Sequence, residues 1–325
     1  MRFLILAATT LALVGCGGTS EASSDGAKLT LVAYSTPREV YAQLTEDFAK
    51  TDAGKGVSFE ESYGGSGEQS RAVESGLAAD VVAFSLESDM TRLVDAGLVD
   101  SGWAGAAHDG MVSDSVVVLA VRKDNPKGIK TWDDLTKQGV EVITANPFTS
   151  GGARWNVMAA YGAQLKQGKT HEQAVGYLRE LFKHVSVQDK SARESLQTFA
   201  GGKGDVLLAY ENEAITAQQK GEELDYVIPD QTLLIENPIA VTKDAGPEAS
   251  EFLDFLRTDE AQKVFAEKGY RSVIPSLVDA STYPNPKTLF TIKDLGGWDE
   301  VQKKFFDHED GIMAGIQREV GAALE

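Results

Sequence analysis

From Leu29 onward, short β-rich runs alternate with one-faced helical patterns. Leu29–Tyr34 reads as a strand, and residues 37–50 carry Val40, Leu44 and Phe48 four apart, the stripe of an amphipathic helix. A second strand over Val57–Tyr63 leads to a helix through Ala72, Val73 and Leu77, and Val81–Phe84 is a short buried strand. Val140–Ala145, Val185–Asp189 and Val206–Tyr210 continue the pattern. Alternation of this kind gives an α/β fold, a mostly parallel sheet covered by helices. Two longer apolar runs, Ser115–Arg122 and Leu233–Thr242, read as crossover strands, one leaving a lobe and one returning to it. The expected division is 29–117 plus 238–325 for the first lobe and 118–237 for the second. Two strands joining two lobes permit closure by hinge rotation. At 325 residues, the chain is long enough to build both cores.

The N-terminus follows a different logic. Met1-Arg2 precedes an apolar run, Phe3 to Val14, about the length of a signal-peptide core and too short to span a membrane. It closes on Leu13-Val14-Gly15-Cys16, which resembles a lipobox, and Cys16 is the only cysteine. The expectation is a signal peptide over 1–15, a diacylated Cys16, and a small, polar tether over 16–28. The protein is then exported and held to a membrane by its lipid. A single cysteine excludes a disulfide framework or a thiolate metal cluster. With 31 basic and 49 acidic residues the formal charge is −18, which repels nucleic acid and sets a condition on any anion ligand.

Four strand ends lead into helix starts of one type. They are Thr36-Pro37-Arg38-Glu39, Ser66-Gly67-Glu68-Gln69, Ser150-Gly151-Gly152-Ala153 and Ser191-Ala192-Arg193-Glu194. Three have Ser or Thr followed three residues later by Glu or Gln, the spacing of a capping box. In open α/β sheets, ligands bind beyond the carboxyl ends of the strands, where helix starts present unpaired N–H groups and the positive dipole end. Ordinary capping explains each start alone. Gly64-Gly65 and Gly151-Gly152, in opposite lobes, strip side chains where a backbone approaches a ligand.

Fixed N–H and O–H dipoles do not depend on net charge, so such a cradle suits an anion even in a chain of −18. Arg38, Arg71, Arg154 and Arg193 fall in the first turns of these helices and read as surface partners of carboxylates such as Glu39 and Glu194. No Asp or Glu lies within Tyr34–Thr36, Gly64–Gly67, Thr149–Gly152 or Lys190–Ala192. A donor-only site favours sulfate, which carries no proton, over hydrogen phosphate, which needs an acceptor. The Tyr210 phenol, at the end of its strand, reads as one more donor facing the cleft.

These stretches resemble the periplasmic sulfate-binding proteins, the receptor subunits of sulfate/thiosulfate ABC importers. The likeness runs from about Leu29 to Asp310 and is carried by Tyr34–Glu39, Gly64–Gln69, Val142–Pro147, Ser150–Asn156 and Gly204–Glu213. It implies a two-lobe type II periplasmic binding fold, no cofactor, a monomer, and an ABC permease and ATPase as partners. Carried over by position, the Ser66 hydroxyl and the backbone N–H groups of Ser35, Ser150, Gly151, Gly152 and Ala192 would hold the anion. The family more often has Asp at position 35 and typically Trp at position 210. Thiosulfate and molybdate share the ligand's shape, and phosphate is the disfavoured alternative.

An esterase elbow is the rival reading, but Gly64-Gly65-Ser66-Gly67 fails at Glu68, where the motif needs Gly. His108, His171, His184 and His308 lack partner spacing, and Tyr210 stands without the clustered tyrosines of a ferric-ion receptor. No catalytic or metal-ligating set emerges. Asp307–Asp310 reads as a solvated charge run. The lipobox reading predicts that Cys16→Ser leaves the product unacylated and moves it to the soluble fraction. Mass and membrane fractionation unchanged by the substitution would refute it.

Overall fold

The computed structural model describes residues 26–324, so the expected signal segment and Cys16 lie outside the described residues. The first half of the chain is β1 (Lys28–Tyr34), α1 (Arg38–Phe48), β2 (Ser58–Gly64), α2 (Ser66–Glu74), β3 (Val81–Ala83) and α3 (Glu87–Asp95), ending in the long β4 (Met111–Arg122). The second is β5 (Val142–Ala145), α4 (Gly151–Lys166), α5 (His171–Lys183), β6 (Val185–Asp189), α6 (Ala192–Ala200), β7 (Val206–Tyr210), α7 (Glu211–Gln219) and β8 (Leu224–Val227). The chain returns through β9 (Gln231–Val241) to α8 (Pro247–Leu256) and α9 (Asp259–Glu267), then β10 (Thr288–Phe290), α10 (Trp298–Phe305) and α11 (Ile312–Glu319).

Strand order is β2-β1-β3-β9-β4-β7-β5-β6. Pairing is parallel within each half, β2 and β3 on β1, β6 and β7 on β5. The centre is antiparallel. β4 pairs with β9 up to Val116↔Leu234, then changes partner and pairs with β7 from Val117↔Tyr210. The far end of β9 pairs with β3, Ala83 opposite Ile239. Two strands thus belong to both halves. Side-chain alternation builds a core on each face of the first half. Leu31 and Ala33 meet Val40, Leu44 and Phe48 of α1 with Phe252 and Phe265 of the returning helices. Val32 on the opposite face meets Val82, Phe84, Met90 and Leu93.

Two expectations are corrected. The helix expected through Leu77 stops at Glu74, because Gly76 at φ +106 turns the chain and Leu77 bonds back to Ala72. The stretch 238–325, expected whole in the first lobe, is divided. Helices α8 and α9 pack there, but β10 adds to β9 at Gln231–Leu233, and Trp298, Val301, Phe305, Met313 and Ile316 bury against Trp155, Leu178 and Phe182 of the second half. The stripe of α10 requires an apolar surface, and α4, buried along nearly its whole length, supplies one, with Trp155 and Trp298 edge-to-face at 4.7 Å.

A buried ion pair ties α7 to the segment after α9: Arg271 donates to both carboxylate oxygens of Glu211, at 2.7 and 3.1 Å. Removing one partner of such a pair strands a buried charge, at about 3–5 kcal/mol. Arg271→Met is therefore expected to destabilise the protein by about that amount in a urea melt.

Candidate functional site

The strand ends of both halves converge on one small cavity. β1 delivers Tyr34, Ser35 and Thr36, β2 delivers Gly64, Gly65 and Ser66, and β3 delivers Ser85. From the other half come Ser150, Gly151 and Gly152 after β5, Ser191 and Ala192 after β6, and Tyr210 at the end of β7. All seven residues singled out from the sequence as ligands (Ser35, Ser66, Ser150, Gly151, Gly152, Ala192 and Tyr210) are in this lining. The cavity measures about 10 Å³. That is about the room one water needs, so the strand ends meet around a small space. Among the described residues, no Asp, Glu, Lys or Arg is in the lining.

Three helices begin at its wall. Ser66 and Gly67 open α2, Gly151 and Gly152 open α4, and Ala192 and Arg193 open α6. N–H groups at these first positions have no carbonyl within their own helix to receive them. Each helix also brings about half a positive elementary charge to its amino end. Ser150 and Ser191 cap their helices, accepting from Ala153 N–H at 3.4 Å and Glu194 N–H at 3.3 Å. The Tyr210 phenol lies 2.6 Å from the Ser85 hydroxyl, and burial pushes its pKa up, so it keeps its proton. The site is a cage of donors.

Several side chains act otherwise than their sequence suggests. Ser66 does not cap α2; Gly65 holds that position, and the Ser66 hydroxyl donates to Asp89 at 2.6 Å while accepting from Ser85 N–H at 2.9 Å. Its proton is engaged by a carboxylate, so Ser66 offers the cavity its backbone N–H rather than its hydroxyl. Thr36 does not cap α1, which opens at Arg38 after Pro37. Glu39 instead crosses the cleft to Arg193 and Lys220. Burial raises the Glu39 pKa, but these two cations outweigh it and hold the carboxyl at about 2. Arg193 also donates to the Ser35 carbonyl at 3.2 Å, so it bridges the halves instead of sitting on the surface. Arg154 is buried, donating to the Pro147 carbonyl and to Gln302, each at 2.7 Å.

Sequence reasoning missed Ser85, Asp89 and Glu213. Ser85 follows the end of β3 as Ser35 follows β1, so the strand-end rule would have found it. Asp89 and Glu213 form a second layer behind Ser66 and Tyr210. Glu213 is buried and accepts from Tyr210 N–H at 3.4 Å. Desolvation is the largest influence on its carboxyl, which Tyr210 N–H and Arg193 only partly offset, leaving the pKa raised to about 7.

The fold and the donor cage define the class, a two-lobe solute receptor. The family model of the bacterial extracellular solute-binding proteins matches residues 29–271. The chain is 46% identical to the sulfate-binding protein of Synechococcus elongatus over 96% of this chain and 94% of that one. It is 33% identical to the thiosulfate-binding protein of Pseudomonas aeruginosa, covering 94% and 96%. Among solved structures, the sulfate-binding protein SubI of Mycobacterium tuberculosis superposes with a TM-score of 0.84 at 41% identity, covering 87% of this chain and all of that one. The chain belongs to the sulfate-binding protein family of bacterial extracellular solute-binding proteins.

Glu213 gives the closed site a pH signature. Its folded pKa of about 7 lies above its ordinary 4.5, so the folded state retains a proton that the unfolded chain has released. Stability from this group is complete below about pH 4.5, falls as pH rises through 7, and then levels off. Glu213→Gln cannot ionise and is expected to reduce the stability lost between pH 5 and pH 8 by about 3 kcal/mol in urea melts. An unchanged difference would show that the carboxyl is solvated.

Proposed function

We propose that this protein captures sulfate between its two lobes and presents it to the permease and ATPase subunits of an ABC importer. The observation that carries this reading is the convergence of three helix starts and a phenol on one small cavity without a lining carboxylate. Sulfate accepts at every oxygen and meets donors on every wall. Hydrogen phosphate carries a proton and needs an acceptor. Asp89 is engaged by the Ser66 hydroxyl and Glu213 by Tyr210 N–H, and neither is in the lining. Thiosulfate fits the same donors, and a thiosulfate-binding relative makes it the second ligand to test.

Capture is by hinge closure about β4 and β9, with 29–117 and the strand from 238 moving against 118–237. Contacts across the cleft support this. A Cβ on Gly65 would sit 2.8 Å from the Thr149 carbonyl oxygen, and one on Gly151 2.8 Å from the Ser85 hydroxyl. Both approaches admit only hydrogen in this arrangement. A hydrolytic role is disfavoured because no histidine lines the cavity and the Ser66 hydroxyl donates to Asp89. The receptor acts as a monomer without cofactor, exported and tied through Cys16 to the outer face of the cell membrane or held in the periplasm.

Calorimetric titration with sulfate, thiosulfate, molybdate and phosphate tests the ligand. Sulfate is expected to bind at least about a hundred-fold more tightly than phosphate, the scale on which an unpaired buried polar group discriminates. Equal affinity for phosphate would overturn the reading. Gly65→Ala, with φ −63 and ψ 136 open to alanine, should leave the ligand-free melting temperature unchanged while weakening sulfate binding about ten-fold or more, since only the closed form is obstructed. Scattering profiles should show the parent contracting on saturation with sulfate.

A further inference from the structure

Ser85 occupies a junction that no ligand assignment above explains. It is 1% exposed and lies in the cavity wall. Its N–H donates to Ser66 at 2.9 Å, and its carbonyl accepts from the Trp155 indole at 2.8 Å and the Asn237 amide at 3.2 Å. Backbone partners from α2, α4 and β9 thus fix the residue, and its hydroxyl alone is free to choose a direction. That hydroxyl meets the Tyr210 phenol oxygen at 2.6 Å. Two hydroxyls sharing one contact spend one proton on each other and leave one for the cavity.

We propose that Ser85 is the positioning residue of the anion site: its hydroxyl donates to the Tyr210 oxygen and so turns the phenol proton onto the bound anion. This rests on the reading that the cavity holds a tetrahedral oxyanion. The phenol is the more acidic hydroxyl and the better donor to a charged acceptor, so an anion draws the phenol proton and leaves Ser85 to supply the phenol oxygen. Each bond in such a chain polarises the next. The packing holds both hydroxyls at the first turn of α4. A Cβ on Gly151 would meet the Ser85 oxygen at 2.8 Å, and one on Gly152 would meet the Tyr210 ring at 3.4 Å. The phenol and the α4 N–H groups therefore address the same ion.

A double-mutant cycle on the full-length protein tests the chain, using whichever of sulfate, molybdate or hydrogen phosphate the parent binds most tightly by calorimetry. Ser85→Ala and Tyr210→Phe are each expected to weaken binding about ten-fold, and the double variant to be about as weak as either single, because both remove one shared donor chain. Ser85→Ala should also leave the ligand-free melting temperature within about 2 °C of the parent, since it removes one hydroxyl and keeps every backbone bond that fixes residue 85. Binding by Ser85→Ala within two-fold of the parent overturns the proposal. So does a double variant losing the product of the two single effects, which marks independent contacts, or a large drop in ligand-free melting temperature, which marks a purely structural serine. A parent that binds none of the three anions defeats the oxyanion reading itself, and that outcome is visible before any variant is made.

Discussion

The antiparallel pairing of β4 with β9 is the constraint on which the rest of the molecule depends. Each of these strands has one end in either half, exchanging β7 for β9 or β3 for β4 as it crosses. Because both sheets hang from the same two strands, the carboxyl ends of β1, β2 and β3 face those of β5, β6 and β7. The helices that follow those strands start at the same place. The donor cage is thus a product of topology before it is a product of any side chain.

Holding an anion in a chain of net charge −18 then becomes a matter of local fields. At physiological salt, exposed charges beyond about 8 Å are largely screened, whereas oriented N–H groups at contact distance are not. The charges near the cleft are arranged to support dipoles. Asp89 fixes Ser66, which fixes the Ser85 amide, and Arg193 clasps Glu39 across the opening. None of these charges is in the cavity lining. Rigid neutral donors set around a desolvated ion lose little to reorganisation, which is why the second layer matters as much as the first.

Much of this was legible in the sequence. Periodicity located the strands that end at the site, and the glycine pairs at 64–65 and 151–152 marked where backbone approaches backbone. Local patterns failed where partners are distant in sequence. Thr36 and Glu39 have capping-box spacing, yet Glu39 finds a stronger partner in Arg193, 154 residues away. Ser66 is a plausible hydroxyl donor to the cavity until Asp89 arrives from α3 to accept its hydrogen bond. The tail from Thr288 reads as a continuation of the first lobe, but its apolar stripe finds its complement on α4. In each case a tertiary contact overrode a local reading, and for Thr36 the rule that lost is worth only about 1 kcal/mol.

The tightness of the seam at Gly65 and Gly151 also bears on time. The residues around the cavity are mostly buried, and on the hinge reading an ion inside is held between donors of both halves. Escape must wait for the halves to part, a collective motion of microseconds to milliseconds. The residence time of the ion is then set by how often the loaded protein opens, which the donors shared between the halves slow. A partner that pries the halves apart would release the cargo by withdrawing one half's donors together.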